Sequence, residues 1–187
     1  MGEKSDASAS QVVIIVIGGT FLMEKNQLED KRILIVDDEP DILDTLEELL
    51  SGCAVVKAFS FDEAKRLLEN QYFDMTILDI MGVDGYALLD IAREKKVVAV
   101  MLTAHALSPE DTAKSYKKGA AYYVPKDEMG DIKVFLNDIL QAEKEGKSPW
   151  SQWLMRFSSF YEKRFGPEWQ EKDKAFWDKF VERYKTW

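Results

Sequence analysis

Asp37, Asp38, Asp79, Thr103 and Lys126 are the residues of this chain whose types and positions point to chemistry. Asp37-Asp38-Glu39 directly follows the apolar run Ile33-Leu34-Ile35-Val36. Asp79 closes Thr76-Ile77-Leu78-Asp79, Thr103 follows Met101-Leu102, and Lys126 follows Tyr123-Val124-Pro125. Each therefore stands at the end of a stretch that reads as a strand. If those ends meet on one sheet edge, three carboxylates share a small space. Two carboxylates about 4 Å apart repel by roughly 4 kcal/mol at an effective dielectric of about 20. Lys126 offsets one charge, and a divalent ion would offset the rest. An all-oxygen donor set selects Mg²⁺ or a similar hard ion.

The elements that must bring these ends together alternate regularly. The run at 33–36 is uninterrupted, as in a strand buried on both faces. Over 41–50, Ile42, Leu43, Leu46, Leu49 and Leu50 recur at helical spacing. Residues 53–59 read as a second strand, and Ser60-Phe61-Asp62-Glu63 is a capping box that opens the next helix. A strand over 73–80, a helix from Tyr86 and a strand over 97–102 follow. Ser108-Pro109-Glu110-Asp111 combines an N-cap, a first-turn proline and early acids. That helix closes on Lys117-Lys118-Gly119. A strand over 120–124 and a helix containing Ile132, Val134, Phe135, Leu136, Ile139 and Leu140 complete the series. Such alternation predicts an α/β fold, a parallel sheet with helices on both faces. Ligands on such sheets bind beyond the carboxyl ends of the strands, at the switch in strand order.

These strand-end motifs, in this order and at these intervals, resemble the receiver domain of two-component response regulators, over about residues 31 to 143. The resemblance implies a flavodoxin-like, CheY-like, doubly wound (βα)5 fold with sheet order 2-1-3-4-5. It implies that Asp79 is the phosphoacceptor, taking a phosphoryl group from a sensor histidine kinase or a phosphotransfer protein. It places Mg²⁺ on Asp37, Asp38, Asp79 and the backbone carbonyl of Met81, with Asp38 the more direct ligand of the acidic pair. Thr103 and Lys126 match the residues that contact the phosphoryl oxygens. Tyr123 matches an aromatic that changes rotamer when Thr103 moves, a two-state element of the kind a phosphoryl charge can bias. Met81 and His105 fall where receivers tune phosphate lifetime. For Asp37 helix capping, for Tyr123 static packing and for His105 a solvated loop position are the plain alternatives. Tyr122 alternates to the other strand face and reads as packing.

The chain also departs from the family. The stretch Asp79-Ile80-Met81-Gly82-Val83-Asp84-Gly85 lacks the usual proline and is about two residues short. Asp84-Gly85 still reads as the turn before the third helix. Lys126 is followed by Asp127 where the family has proline. A pseudo-receiver scaffold, which keeps the fold without being phosphorylated, therefore stands as the alternative function. An aspartate-nucleophile phosphatase is disfavoured, because such enzymes carry Asp-x-Asp and here the two aspartates are adjacent. No other enzymatic motif appears, so the only chemistry expected is that of Asp79 itself.

Composition sets the remaining bounds. With 46% hydrophobic residues among 187, the chain can build one ordinary domain and an appendage. The single cysteine, Cys53, excludes an internal disulfide and fits a reducing, cytoplasmic compartment. A net charge of -9 is a poor default for nucleic acid, and no DNA binding is expected. From Ser148 onward, eight Lys and Arg against six Asp and Glu give +2, leaving -11 for the preceding residues. The apolar stretch within residues 1–30 is too short to span a membrane. It reads as an extra edge strand, an apolar arm or non-native sequence.

All five Trp lie after residue 147. Trp150, Trp153, Leu154, Phe157, Phe160, Tyr161 and Phe165 form one stripe at helical spacing, and Gly166-Pro167 ends it. Phe176, Trp177, Phe180, Val181, Tyr184 and Trp187 form another. Residues 147–187 thus read as an aromatic helical hairpin, following a domain over 31–146. Too few residues follow the domain for a winged-helix output unit. So short a hairpin cannot bury its aromatic face alone. Three partners are open: the domain's own surface, a second copy of the chain, or another protein or membrane surface. A homodimer would use these helices or the face formed by the fourth helix, fifth strand and fifth helix.

Overall fold

A computed structural model describes the backbone over residues 13–17, 20–24, 27–104 and 108–184, with side chains from residue 27 onward except that of Lys172. Strands β1 (Val13–Ile17) and β2 (Thr20–Glu24) pair antiparallel in a sheet of their own. They add no strand to the edge of the main sheet. The main series is β3 (Arg32–Val36), α1 (Pro40–Leu49), β4 (Ala54–Ala58), α2 (Phe61–Asn70), β5 (Met75–Asp79) and α3 (Gly85–Glu94). It continues through β6 (Val98–Thr103), α4 (Pro109–Lys118), β7 (Tyr122–Pro125) and α5 (Ile132–Lys144), with a 3-10 turn over Lys126–Asp131.

The five main strands are all parallel, in the order β4-β3-β5-β6-β7. Counted within the sheet this is 2-1-3-4-5, the order that the resemblance implies. Ile33, Leu34 and Ile35 are wholly buried, so β3 is covered on both faces. The caps form where the sequence puts them. Ser60 accepts the Glu63 N–H, and the Glu63 carboxylate accepts the Phe59 N–H. Ser108 accepts the Asp111 N–H at 2.9 Å ahead of Pro109. The reversal in strand order falls between β3 and β5, which opens the crevice beyond their carboxyl ends.

Two further helices follow, α6 (Trp150–Phe165) and α7 (Lys174–Tyr184). Their contacts run antiparallel: Trp150 meets Phe180, Trp153 meets Trp177, and Tyr161 meets Trp169 in the connection. Pro149 is the N-cap of α6. The shared aromatic face lies on the domain's own surface, across α4, β7 and α5. Trp150 packs edge-on to Tyr116 of α4 and stacks on Tyr122 of β7. Phe157 packs on Phe135 of α5. Trp150, Trp153, Trp169 and Trp177 are all buried, and Trp187 lies outside the described residues. Intramolecular docking is therefore the arrangement adopted among the three the sequence leaves open. No helix among the described residues is long and apolar enough to cross a membrane.

Candidate functional site

Parallel strands in register carry their carboxyl ends to one edge, and the five chemical residues arrive there together. Asp37 and Asp38 follow β3, Asp79 ends β5, Thr103 ends β6 and Lys126 follows β7. Lys126 Nζ lies 2.8 Å from Asp37 Oδ2, 2.8 Å from Glu39 Oε1 and 3.2 Å from Asp79 Oδ1. The other Asp79 oxygen, Oδ2, accepts the backbone N–H groups of Met81 and Gly82 at 3.0 and 2.9 Å. Asp37 Oδ1 accepts the Glu39 N–H at 3.0 Å. The Asp79 carboxylate is thus fixed on both sides, by a cation and by two backbone donors.

Burial is graded across the cluster. Asp37 is fully buried and Asp79 only 3% exposed, whereas Asp38 faces solvent. Burial holds the Asp37 carboxyl above its ordinary range and the Asp79 charge adds to this, against Lys126 and the Glu39 N–H, which favour ionisation. Burial alone would lower the Lys126 ammonium, but hydrogen bonds to Asp37 and Glu39 and the charge of Asp79 override it and raise its pKa. Lys126 therefore stays positive throughout the physiological range.

Carboxylate oxygens of Asp37, Asp38 and Asp79 all come within 4.8 Å of one another. Three carboxylates against one ammonium leave an excess of negative charge. Hard oxygen donors at this spacing, open to solvent through Asp38, fit a divalent cation. Met81, expected to supply a carbonyl, turns its N–H to Asp79 and exposes its side chain. His105 lies outside the described residues.

The short loop after β5 works through two glycines. A Cβ on Gly82 would stand 1.7 Å from Asp38 Oδ1, and one on Gly85 would stand 2.0 Å from the Asp79 carbonyl oxygen. Gly82 thus lets the Asp38 carboxylate lie over the loop while its N–H reaches Asp79. Asp84 caps α3 in a left-handed conformation (φ 51°), the turn expected at Asp84-Gly85.

Thr103 and Tyr123 are both buried. The Tyr123 hydroxyl is within hydrogen-bonding reach of Thr103, and burial pushes its pKa well up. Two participants escape the sequence reading. Glu39 pairs with Lys126, a role its place in the acidic triplet could have suggested. Gly82 binds the acceptor through its backbone, and only the brevity of the loop hints at that.

A family model described as "Response regulator receiver domain" matches residues 33–136. Among curated relatives, the chain is 39% identical over 113 residues to the alginate biosynthesis transcriptional regulatory protein AlgB of Pseudomonas putida, covering 56% of this chain and 24% of that protein. It is 40% identical over 105 residues to the probable transcriptional regulator ycf27 of Guillardia theta, covering 53% and 41%. The chain therefore spans well under half the length of these relatives. Among solved structures, a CheY-like receiver domain protein from Methanospirillum hungatei is similar, with a TM-score of 0.55 and 30% identity. That match covers 63% of this chain and 99% of the other. The response regulator TrrA of Thermotoga maritima, solved in complex with Mg²⁺–BeF, aligns with a TM-score of 0.51 and 32% identity over 58% of this chain and 98% of that one.

Proposed function

Since this chain belongs to the response regulator receiver domain family, we propose that Asp79 accepts a phosphoryl group from a phosphohistidine and that the chain signals through protein contacts. The observation that carries the reading is the setting of Asp79: a carboxylate held by Lys126 and two backbone N–H groups, beside two further carboxylates. A carboxylate oxygen of Asp79 attacks phosphorus, the P–N bond breaks, and the departing imidazole takes a proton. Lys126, Thr103 and the N–H groups of Met81 and Gly82 are the donors available to phosphoryl oxygens. The phosphodonor is the histidine of a sensor kinase or phosphotransfer protein, in the cytoplasm. AlgB and ycf27 are named as transcriptional regulators, but the acidic charge of this chain supports a protein partner in place of DNA.

Asp37, Asp38 and Asp79, with the Met81 carbonyl, would hold Mg²⁺. When bound, the ion would neutralise charge developing on the oxygens of the transferred group. TrrA, solved with Mg²⁺–BeF, is a precedent among similar proteins. Asp38→Ala is expected to abolish measurable Mg²⁺ binding in calorimetric titration without changing the fold, since Asp38 is exposed. Undiminished affinity would remove this assignment. Gly82→Ala forces the Asp38 carboxylate aside. Its Mg²⁺ affinity should fall by roughly tenfold, about 1.4 kcal/mol, with thermal stability nearly unchanged.

One observation favours the scaffold alternative: the acceptor carboxylate is only 3% exposed. Intact mass after incubation with acetyl phosphate and Mg²⁺ separates the two. One added phosphoryl group supports the receiver reading. No adduct, with a phosphohistidine donor also failing, supports the scaffold.

A further inference from the structure

Five segments follow the main strands and open the next helices: residues 37–41, 59–63, 79–85, 108–111 and 126–131. Because the strands are parallel, all five lie on the edge that carries Asp79. Together they hold thirteen Asp and Glu and a single Lys, Lys126, a net of -12. The whole chain carries -9, so all its other residues sum to +3. The opposite edge has no such excess: residues 27–32, 50–53, 70–74, 94–97 and 117–121 hold six Lys and Arg against four Asp and Glu. The acidic character of the chain is therefore concentrated at one pole.

Neither the metal nor the helices account for it. Three of the thirteen, Asp37, Asp38 and Asp79, converge closely enough to share a metal ion; the other ten join no such group among the described residues. A divalent ion would offset two charges. Each helix N-terminus contributes about half a positive charge, so the five that begin here offset roughly two to three more and leave about seven uncompensated. Much of this charge faces solvent, on Asp38, Glu39, Asp41, Asp62, Asp84 and Asp127.

Two exposed apolar side chains stand within the acidic rim. Met81 is 71% exposed and Phe59 45%. β3 lies between β4 and β5, so Asp38 emerges between Phe59, one residue past β4, and Met81, two past β5. Interfaces between proteins take this form, with Met and Phe enriched inside a polar rim. Charge of one sign selects a partner of the other. Nucleic acid and anionic membranes, themselves negative, are repelled.

We propose that this edge docks a phosphohistidine protein with a basic rim around its histidine, and that the acidic rim ranks phosphodonors by charge: basic carriers are drawn in and small anionic donors are held off. The inference rests on the phosphoacceptor reading of Asp79. The chemistry at Asp79 is the same with either donor. An oxygen–phosphorus bond forms, and either the P–N bond to imidazole breaks, the imidazole taking a proton, or the P–O bond to acetate breaks. Only the approach differs. Focused charge raises association rates by about 10- to 1000-fold and loses its effect as salt is added. The screening length falls from about 10 Å at 0.1 M to about 3 Å at 1 M.

The test measures second-order phosphorylation rates of the full chain at saturating Mg²⁺, read by intact mass. Three donors are compared: a phosphohistidine peptide flanked by lysines, the same peptide flanked by glutamates, and acetyl phosphate, a dianion. At low salt the lysine peptide should react at least about tenfold faster than the glutamate peptide. Raising salt to about 1 M should slow the lysine peptide, speed acetyl phosphate and bring the two peptides together. A triple variant, Asp62→Asn, Asp84→Asn and Asp127→Asn, removes three exposed rim charges and no proposed metal ligand. Asn suits the left-handed backbone at residue 84 (φ 51°), so the turn survives. This variant should reduce the advantage of the lysine peptide several-fold. Equal peptide rates at low salt, or salt slopes of one sign for the lysine peptide and acetyl phosphate, would end the proposal. So would sedimentation showing that the wild type dimerises at low salt while the triple variant stays monomeric, since a second copy would then be the partner. Phosphorylation by none of the donors would instead bring down the phosphoacceptor reading, and this ranking with it.

Discussion

Asp79→Asn is expected to take up no phosphoryl group from acetyl phosphate and Mg²⁺, while the wild type takes up one. The amide matches the carboxylate in shape but offers no oxygen anion to attack phosphorus. Its carbonyl oxygen can still accept the Met81 and Gly82 N–H groups that now bind Asp79 Oδ2. Lys126 keeps Asp37 and Glu39 as partners. The fold should therefore survive the change. Removing one carboxylate also relieves Asp37, whose ionisation the Asp79 charge opposes. The variant should be at least as stable as the wild type in the absence of metal, which thermal unfolding in chelator checks. The loss of phosphorylation is then chemical and not a consequence of unfolding. An adduct that persists in the variant would point to another acceptor, with Asp38 the accessible candidate.

How much of this was legible in the sequence differs between elements. The sheet was readable because the strands of a parallel sheet, buried on both faces, read as uninterrupted apolar runs. β3, with Ile33, Leu34 and Ile35 wholly buried, is the clearest case. The cluster of Asp37, Asp38, Asp79 and Lys126 was readable because strand ends in a parallel sheet must meet at one edge. The loop over residues 80–85 was less so. Its geometry depends on what a Cβ would strike, at Gly82 the carboxylate of Asp38, and that is a through-space relation with no periodicity. The seat of α6 and α7 was also hidden. An aromatic stripe at helical spacing states that a face is buried, not against what. The deciding feature is the match between two indoles and two edge carbonyls, Trp150 with Ala120 and Trp153 with Tyr123, and backbone carbonyls leave no trace in residue type. The pairing of β1 with β2 apart from the main sheet is similar, since an apolar strand pattern does not name its neighbour.

Trp153→Ala is expected to cost about 3–5 kcal/mol, the range for truncating a buried Trp in a packed core. Trp153 is wholly buried and its ring meets Trp150, Phe157, Tyr161, Trp177 and Phe180. It thus joins α6 to α7 as well as to β7. Truncation opens a cavity at that junction and leaves the Tyr123 carbonyl without its donor. A lost partner for a buried carbonyl adds about 1–3 kcal/mol where water cannot replace it. The two contributions separate through Trp153→Phe, which retains most of the ring area but no N–H, and which should fall between the wild type and Ala. The damage should also be local in order. Two short helices cannot hold an aromatic face together without the sheet edge beneath them, whereas β3 to β7 have a core of their own. In urea, Trp153→Ala should therefore lose its remaining Trp emission signal, which reports only the C-terminal helices, before the sheet unfolds. In the wild type the two transitions should coincide, because the helices and the sheet share Tyr122, Phe135 and Trp150 in one core. A cost under about 0.5 kcal/mol, within the range of an ordinary surface substitution, would mean that α6 does not sit on β7 in solution.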